Sequence, residues 1–310
     1  MKPIVFGGNG FIGSHVATQL HHSGHKVTAV IRPTSDATFL EKQGIHIMRI
    51  DYSNRDMIRR VMIDHDVVYN CTASAGLQVA AIQPHVELAL TKELIQTAAM
   101  IGIRHFIQLS SIVIYGFERD GLINESYQPV IHYPVQQIQQ TREAIVTNIA
   151  EESGMRLTIV RPASTIGARG ERSFFANLFK LRQVGKFPIV DKGQATTSFI
   201  DTRDIGRAMT FLGERKESGT YLLKGFDASW WQLKTTIDAI IGQKSDYITL
   251  SGTLSDAQLH TYGMNPYAYH TFSINRTWDD TKIRDLGFRS TYSLQEAAEQ
   301  ELDYLMKLEN

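Results

Sequence analysis

Residues 4–13 read Ile-Val-Phe-Gly-Gly-Asn-Gly-Phe-Ile-Gly: an apolar run of strand length, a turn with glycines at Gly7, Gly10 and Gly13, and the start of a helix. No other part of the chain constrains its fold as much. The first glycine permits a tight turn, the second lets backbone approach a phosphate, and the third lets helix and strand pack closely. The free N–H groups opening the helix then face an anion with the positive end of the helix dipole. An ordinary tight turn is the bland alternative, but the position at the first strand, with the right context on both sides, favours a dinucleotide. Gly7, Asn9, Gly10, Phe11, Ile12 and Gly13 are the contacts expected from this turn.

The chain beyond repeats the same unit. Strand-length apolar runs at 27–31, 46–50, 67–69, 106–109 and 157–160 alternate with helical periodicity over 11–20, 86–100 and 136–152. Repeated βα units bury strands on both faces, and right-handed crossovers then give an α/β fold with a doubly wound parallel sheet of the Rossmann type. Past residue 167 short strands mix with helices over 173–181, 230–241 and 294–308, and no Pro/Gly/Ser linker separates the halves. The expectation is a dinucleotide-binding domain over 1–166, with 199–225 returning to it. A smaller C-terminal α/β substrate lobe then takes 167–198 and 226–310.

Cofactor choice turns on the second strand, which ends Val30-Ile31-Arg32-Pro33-Thr34-Ser35. An acidic residue here would accept bonds from ribose hydroxyls, whereas an arginine suits a 2′-phosphate. Arg32, with Ser35 nearby, therefore favours NADP(H) and leaves NAD(H) as the alternative. Asp51 and Tyr52 follow the third strand, where a carboxylate can meet the adenine amino group or cap a helix.

The 310 residues carry 32 basic and 32 acidic side chains, so the totals provide no electrostatic reason for a nucleic-acid partner. The N-terminal residues do not read as a signal peptide and no run is long enough to span a bilayer, so the expected setting is cytoplasmic, with no membrane partner. Cys71 is the single cysteine, which excludes an internal disulfide. His21, His22 and His25 lack a carboxylate or thiolate to complete a metal set and read as a solvated helix end, so no metal is expected. Trp230 and Trp231 are adjacent on a helix and cannot share a face, so one should pack inward.

Beyond the glycine turn, Asp66-Val67-Val68-Tyr69-Asn70-Cys71-Thr72-Ala73, Phe106 to Gly116, Arg161-Pro162, Ser198 to Ile205 and Asp280 to Phe288 make the chain resemble the extended short-chain dehydrogenase/reductase family, in its NAD-dependent epimerase/dehydratase branch. The resemblance covers nearly the whole chain. It implies Thr72 and Ala73 at the cofactor, a homodimer through the helices around 86–100 and 136–152, and a sugar-nucleotide phosphate near Arg169 and Arg172. It also implies a serine, here Ser111, and a Tyr-x-x-x-Lys pair on the next helix. Family members use that tyrosine to exchange a proton with the substrate oxygen, and the lysine lowers its pKa.

Here the pattern breaks. The ungapped register places Val135 at the tyrosine position and Gln139 at the lysine position, and no lysine lies between Lys92 and Lys180. Proton removal by the family route is lost with the cation, while reduction, which needs a proton donor, is retained. The candidate donors are Tyr133, two residues before the expected position, His132 beside it, and lastly Tyr115. The leading expectation is an NADP(H)-dependent oxidoreductase reducing a carbonyl or related group of a small-molecule substrate. A non-catalytic NAD(P)-binding sensor and a redox-neutral isomerase or cyclase are the alternatives.

Overall fold

The computed structural model describes residues 1–72 and 84–309; Ala73 lies outside them. The first half runs β1 (Pro3–Phe6), α1 (Phe11–His22), β2 (Thr28–Ile31), α2 (Thr38–Lys42), β3 (His46–Arg49), α3 (Arg55–Met62), β4 (Val67–Asn70), α4 (Pro84–Met100), β5 (His105–Leu109), β6 (Gly121–Ile123), α5 (Pro134–Ser153) and β7 (Arg156–Pro162). It continues through β8 (Ser164–Ile166), α6 (Phe174–Gln183), β9 (Phe187–Val190), β10 (Thr196–Asp201), α7 (Thr202–Arg215), β11 (Gly219–Leu223), β12 (Phe226–Ser229) and α8 (Trp230–Ile241). The last elements are β13 (Tyr247–Leu250), α9 (Asp256–Thr261), α10 (Pro266–Ser273), β14 (Arg276–Trp278), α11 (Thr281–Asp285) and α12 (Leu294–Glu309).

Seven parallel strands form the large sheet in the order β11-β7-β5-β4-β1-β2-β3. Its central strands are buried at every position, as strands covered on both faces must be. Val5, Ile107 and Val160 pack with Val16 and Leu20 of α1 and Ile205 and Met209 of α7 on one face. Ile4, Val68 and Phe106 pack with Ile58 of α3, Leu94 of α4 and Val146 of α5 on the other. The fold is the doubly wound α/β type.

The second sheet runs β12-β10-β14-β6, with β8 added beside β10. Its core gathers Phe175, Phe199, Trp230 and Phe272, while Trp231, one residue from the fully buried Trp230, keeps 36% of its surface exposed. Both halves of the sequence contribute to both sheets: β6 from the first half is an edge of the second sheet, and β11 from the second half closes the large one. Asn54, rather than Asp51, caps α3 through its side chain, and Asp51 instead accepts from Ser53. Among the described residues no helix is long and apolar enough to cross a membrane, and no group of His, Cys, Asp and Glu could hold a metal.

Candidate active site

Strand order reverses between β1 and β4, the switch point at whose carboxyl ends a doubly wound sheet takes its ligand in a crevice. The glycine turn forms one wall. Gly7 holds φ +73°, and a Cβ on it would lie 2.8 Å from the Cys71 carbonyl oxygen. A Cβ on Gly13 would lie 2.2 Å from the Gly7 carbonyl oxygen, so α1 can approach the turn only without one. Gly10 is the N-cap of α1 and no side chain caps the helix, which leaves its first N–H groups for an anion. These features fit a dinucleotide pyrophosphate.

Tyr52 supports the turn from below. Its hydroxyl accepts from the Gly7 N–H at 3.0 Å and donates to the Val30 carbonyl at 2.8 Å, and burial pushes its pKa up to about 12. Arg32, just past β2, is exposed and makes no ion pair among the described residues. Arg49, the last residue of β3, donates to the Pro33 and Ser35 carbonyls at 3.1 and 2.6 Å and so shapes the loop after Arg32. Nothing in the sequence pattern pointed to that contact.

On the other side of the crevice, Thr72 is locked by Asn70, whose Oδ1 accepts from both its N–H and its hydroxyl. The Thr72 carbonyl accepts from Arg142 Nη2 at 2.7 Å. Arg142 is almost fully buried, pairs with Glu87 at 2.9 Å and reaches Gln139 Oε1 at 3.4 Å. Gln139, at the expected lysine position, thus lies beside a buried arginine that reaches the backbone just past β4. Cys71 is buried, and desolvation raises its thiol to about 12, so it is inert at neutral pH.

Ser111 opens a short 3₁₀ turn over Ile112–Tyr115 and accepts from the Val113 N–H at 3.2 Å, which leaves its own hydroxyl as a donor. Tyr115 is buried; its oxygen accepts from Arg161 Nη1 at 2.5 Å, and Arg161 is paired with Glu143. Gln136, fully buried, accepts from the His132 and Tyr133 N–H groups at 3.0 Å and donates to the Ile114 and Val130 carbonyls. That one amide ties the start of α5 to the turn after Ser111.

Val135 packs with Phe117 and Tyr267, so aromatic side chains from outside α5 fill the space beside the expected tyrosine position. Tyr133 stands edge-on to both rings at 5.9 and 5.1 Å, and its hydroxyl lies 2.9 Å from His270 Nδ1 on α10. Burial, with Glu118 adding to it, raises the Tyr133 pKa above its ordinary value, and Arg276 opposes the rise. Burial and Arg276 together lower that of His270. His132 is more than half exposed and lies 3.4 Å from Glu118. Arg169, one of the two arginines that the resemblance sets near a substrate phosphate, contacts Ser14 and Asn9 at the glycine turn. His270 escaped the sequence reading because the contact joins residues 137 positions apart.

A doubly wound sheet with a dinucleotide turn at its switch point, and a second lobe beside the crevice, is the framework of a nicotinamide-dependent enzyme. The chain belongs to the NAD dependent epimerase/dehydratase family, whose model matches residues 4–223. It is 26% identical over 171 residues to sterol demethylase protein B of Methylococcus capsulatus, covering 54% of this chain and 52% of that protein. It is 23% identical over 225 residues to a 4-hydroxy-2-methyl-3-oxo-4-farnesyl-3,4-dihydroquinoline-1-oxide ketoreductase of Stigmatella aurantiaca, covering 71% of this chain and 66% of that one. The chain thus spans about half of the first relative and under two thirds of the second. A cinnamoyl-CoA reductase 1 of Oryza sativa is 25% identical over 245 residues, covering 71% of this chain and 70% of that protein. Among solved structures, UDP-glucuronic acid 4-epimerase from Bacillus cereus in complex with NAD superposes with a TM-score of 0.81 at 22% identity, covering 100% of both chains. Likeness at that identity establishes the fold.

Proposed function

We propose that this chain uses NADP(H) to reduce a carbonyl or related group of a small molecule, with Tyr133 as the proton donor and His270 behind it. The observation that carries the reading is the 2.9 Å contact between the Tyr133 hydroxyl and His270 Nδ1, on a helix that has no lysine to make the tyrosine a base. A phenol whose pKa lies above its ordinary value stays protonated at neutral pH and acts as an acid. Two relatives named for reduction, the ketoreductase and the cinnamoyl-CoA reductase, support the same direction.

When bound, the nicotinamide supplies the hydride. Ser111 donates a hydrogen bond to the substrate oxygen, and Tyr133 gives that oxygen its proton. Protonated His270 then restores the Tyr133 hydroxyl. Arg32 would meet a 2′-phosphate, and Asn9 and the N–H groups of α1 would hold the pyrophosphate. The resemblance extends to a homodimer through α4 and α5.

The test begins with titration of NADPH, NADP⁺, NADH and NAD⁺ against the protein and its Arg32→Ala variant. A lost charge-assisted contact weakens NADPH about ten- to a hundredfold and leaves NADH unchanged. In a carbonyl screen, Tyr133→Phe lowers turnover by about 10²–10⁴. His270 acts in its protonated form, and its pKa lies below the ordinary histidine value, so kcat/KM for reduction falls as pH rises through that lowered value. His270→Gln removes this limb of the profile. Unchanged turnover in both variants would show the donor assignment to be wrong, and product without any change in nicotinamide absorbance would point to redox-neutral chemistry.

A further inference from the structure

The loop between β8 and α6 leaves the second sheet and runs to the mouth of the glycine turn. Two glycines let it come close: a Cβ on Gly170 would lie 2.7 Å from the Phe11 ring, and Gly167 has φ +154°. His15 on α1 holds the loop through the Ala168 carbonyl at 3.0 Å. Between the two glycines Arg169 adopts φ +73°, a left-handed conformation that disfavours any residue with a Cβ.

That backbone aims the guanidinium at the turn. Nε donates to Ser14 Oγ at 3.0 Å, and Nη2 donates to the Asn9 side-chain and backbone oxygens at 3.0 and 3.2 Å. The group stacks over the Phe39 ring at 4.3 Å. Nη1 has no acceptor among the described residues, and Arg169 makes no ion pair among them. The acidic groups that act on it through space are Glu171 and Asp36. Both are engaged elsewhere, Glu171 with the Tyr304 hydroxyl and Asp36 with Thr38. A partly buried cation is thus held in a strained conformation over an anion cradle whose own residues, Gly7 to Gly13, carry no charge.

We propose that Arg169 is a cofactor-binding residue, a cation delivered from the loop that leads into the second lobe to face the pyrophosphate cradled by the glycine turn. The inference rests on the cofactor reading above, but not on the choice between NADP(H) and NAD(H), because both carry the same pyrophosphate. Helix N–H groups supply roughly half a charge at this point, and a guanidinium adds a full one. Arg169 also orients Asn9, so the side chain expected at the cofactor is itself positioned by this arginine.

NADPH and NADH are titrated by nicotinamide fluorescence at several salt concentrations against wild type, Arg169→Ala, Arg169→Gln and Arg32→Ala. Arg169→Ala should weaken both nucleotides tenfold or more, whereas Arg32→Ala weakens NADPH alone. The fall of affinity with salt should become shallower in the Arg169 variants, because a charge that meets the ligand has been removed. Circular dichroism reports whether each variant folds, and Arg169→Gln, which loses the charge but keeps a hydrogen-bonding amide, carries the test if the alanine variant does not. Unchanged affinity overturns the proposal. So does weakened affinity with an unaltered salt slope, which would make Arg169 a prop for the turn. If wild type binds NADH better than NADPH, the NADP(H) reading falls while Arg169 stands; if it binds neither, both fall.

Discussion

Glu301 has no exposed surface, yet its carboxylate accepts from the Gly167 N–H at 2.8 Å and sits 2.6 Å from the Ser173 hydroxyl, at the two ends of the loop that carries Arg169. Burial, with Asp201 adding to it, lifts its pKa to about 8. The folded protein therefore holds a proton that the unfolded chain releases. This contribution is complete below the ordinary glutamate value of 4.5 and is lost as pH rises through about 8. Glu301→Gln keeps both hydrogen bonds and removes the ionisation. The variant should match wild type in thermal denaturation near pH 5 and exceed it at pH 9, by at most about 4 kcal/mol for a shift of this size. Equal stability at both pH values would show that the carboxyl ionises freely. Single residues of this kind were the least legible in the sequence. Glycine positions announce themselves because only glycine meets their backbone demands. Glu301, Arg142, Gln136 and His270 draw their roles from partners far along the chain, and no local pattern marks them.

At the level of elements the apolar periodicity was a good guide, because buried parallel strands and amphipathic helices leave strong signals. The helix expected over 136–152 is α5, which begins two residues earlier because Pro134 occupies its first position and needs no N–H partner. The apolar pattern does not mark α7. Gly206 and Gly213 lie within it, and two glycines in a short segment argue against a helix by propensity alone. Packing overrides propensity here. A Cβ on Gly206 would lie 2.7 Å from the His15 carbonyl oxygen of α1, and one on Gly213 would lie 2.0 Å from the Tyr69 hydroxyl of β4. The glycines, two turns apart, let α7 settle against both neighbours. Gly206→Ala gains helix propensity of about 1 kcal/mol, but the backbone contact forces α1 and α7 apart at a cost of about 1–3 kcal/mol. Urea denaturation should show a lower midpoint. A higher one would mean that the two helices have room between them.

For the whole molecule, the interleaving of the two lobes decides how it unfolds. The Glu125 carboxylate, beyond β6, accepts from the Leu222 N–H of β11 at 2.8 Å. Arg276 on β14 lies over the Phe117 ring and donates to the Gly116 carbonyl just past the Ser111 turn. Since both halves of the chain enter both sheets, no single cut leaves two complete cores. The lobes should therefore melt together, in one transition whose calorimetric and van't Hoff enthalpies agree. The cofactor crevice lies at the centre of this unit, so a dinucleotide that binds only the folded state stabilises all of it. At a hundred times its Kd the gain is about 2.7 kcal/mol. For 310 residues the unfolding entropy near 60 °C is about 0.65 kcal/mol/K, so the single transition should rise by about 4 °C. Two resolved transitions, with only the first-lobe transition shifted by NADPH, would mean that the lobes are energetically separate. Arg169 would then bind cofactor without communicating it to the second lobe.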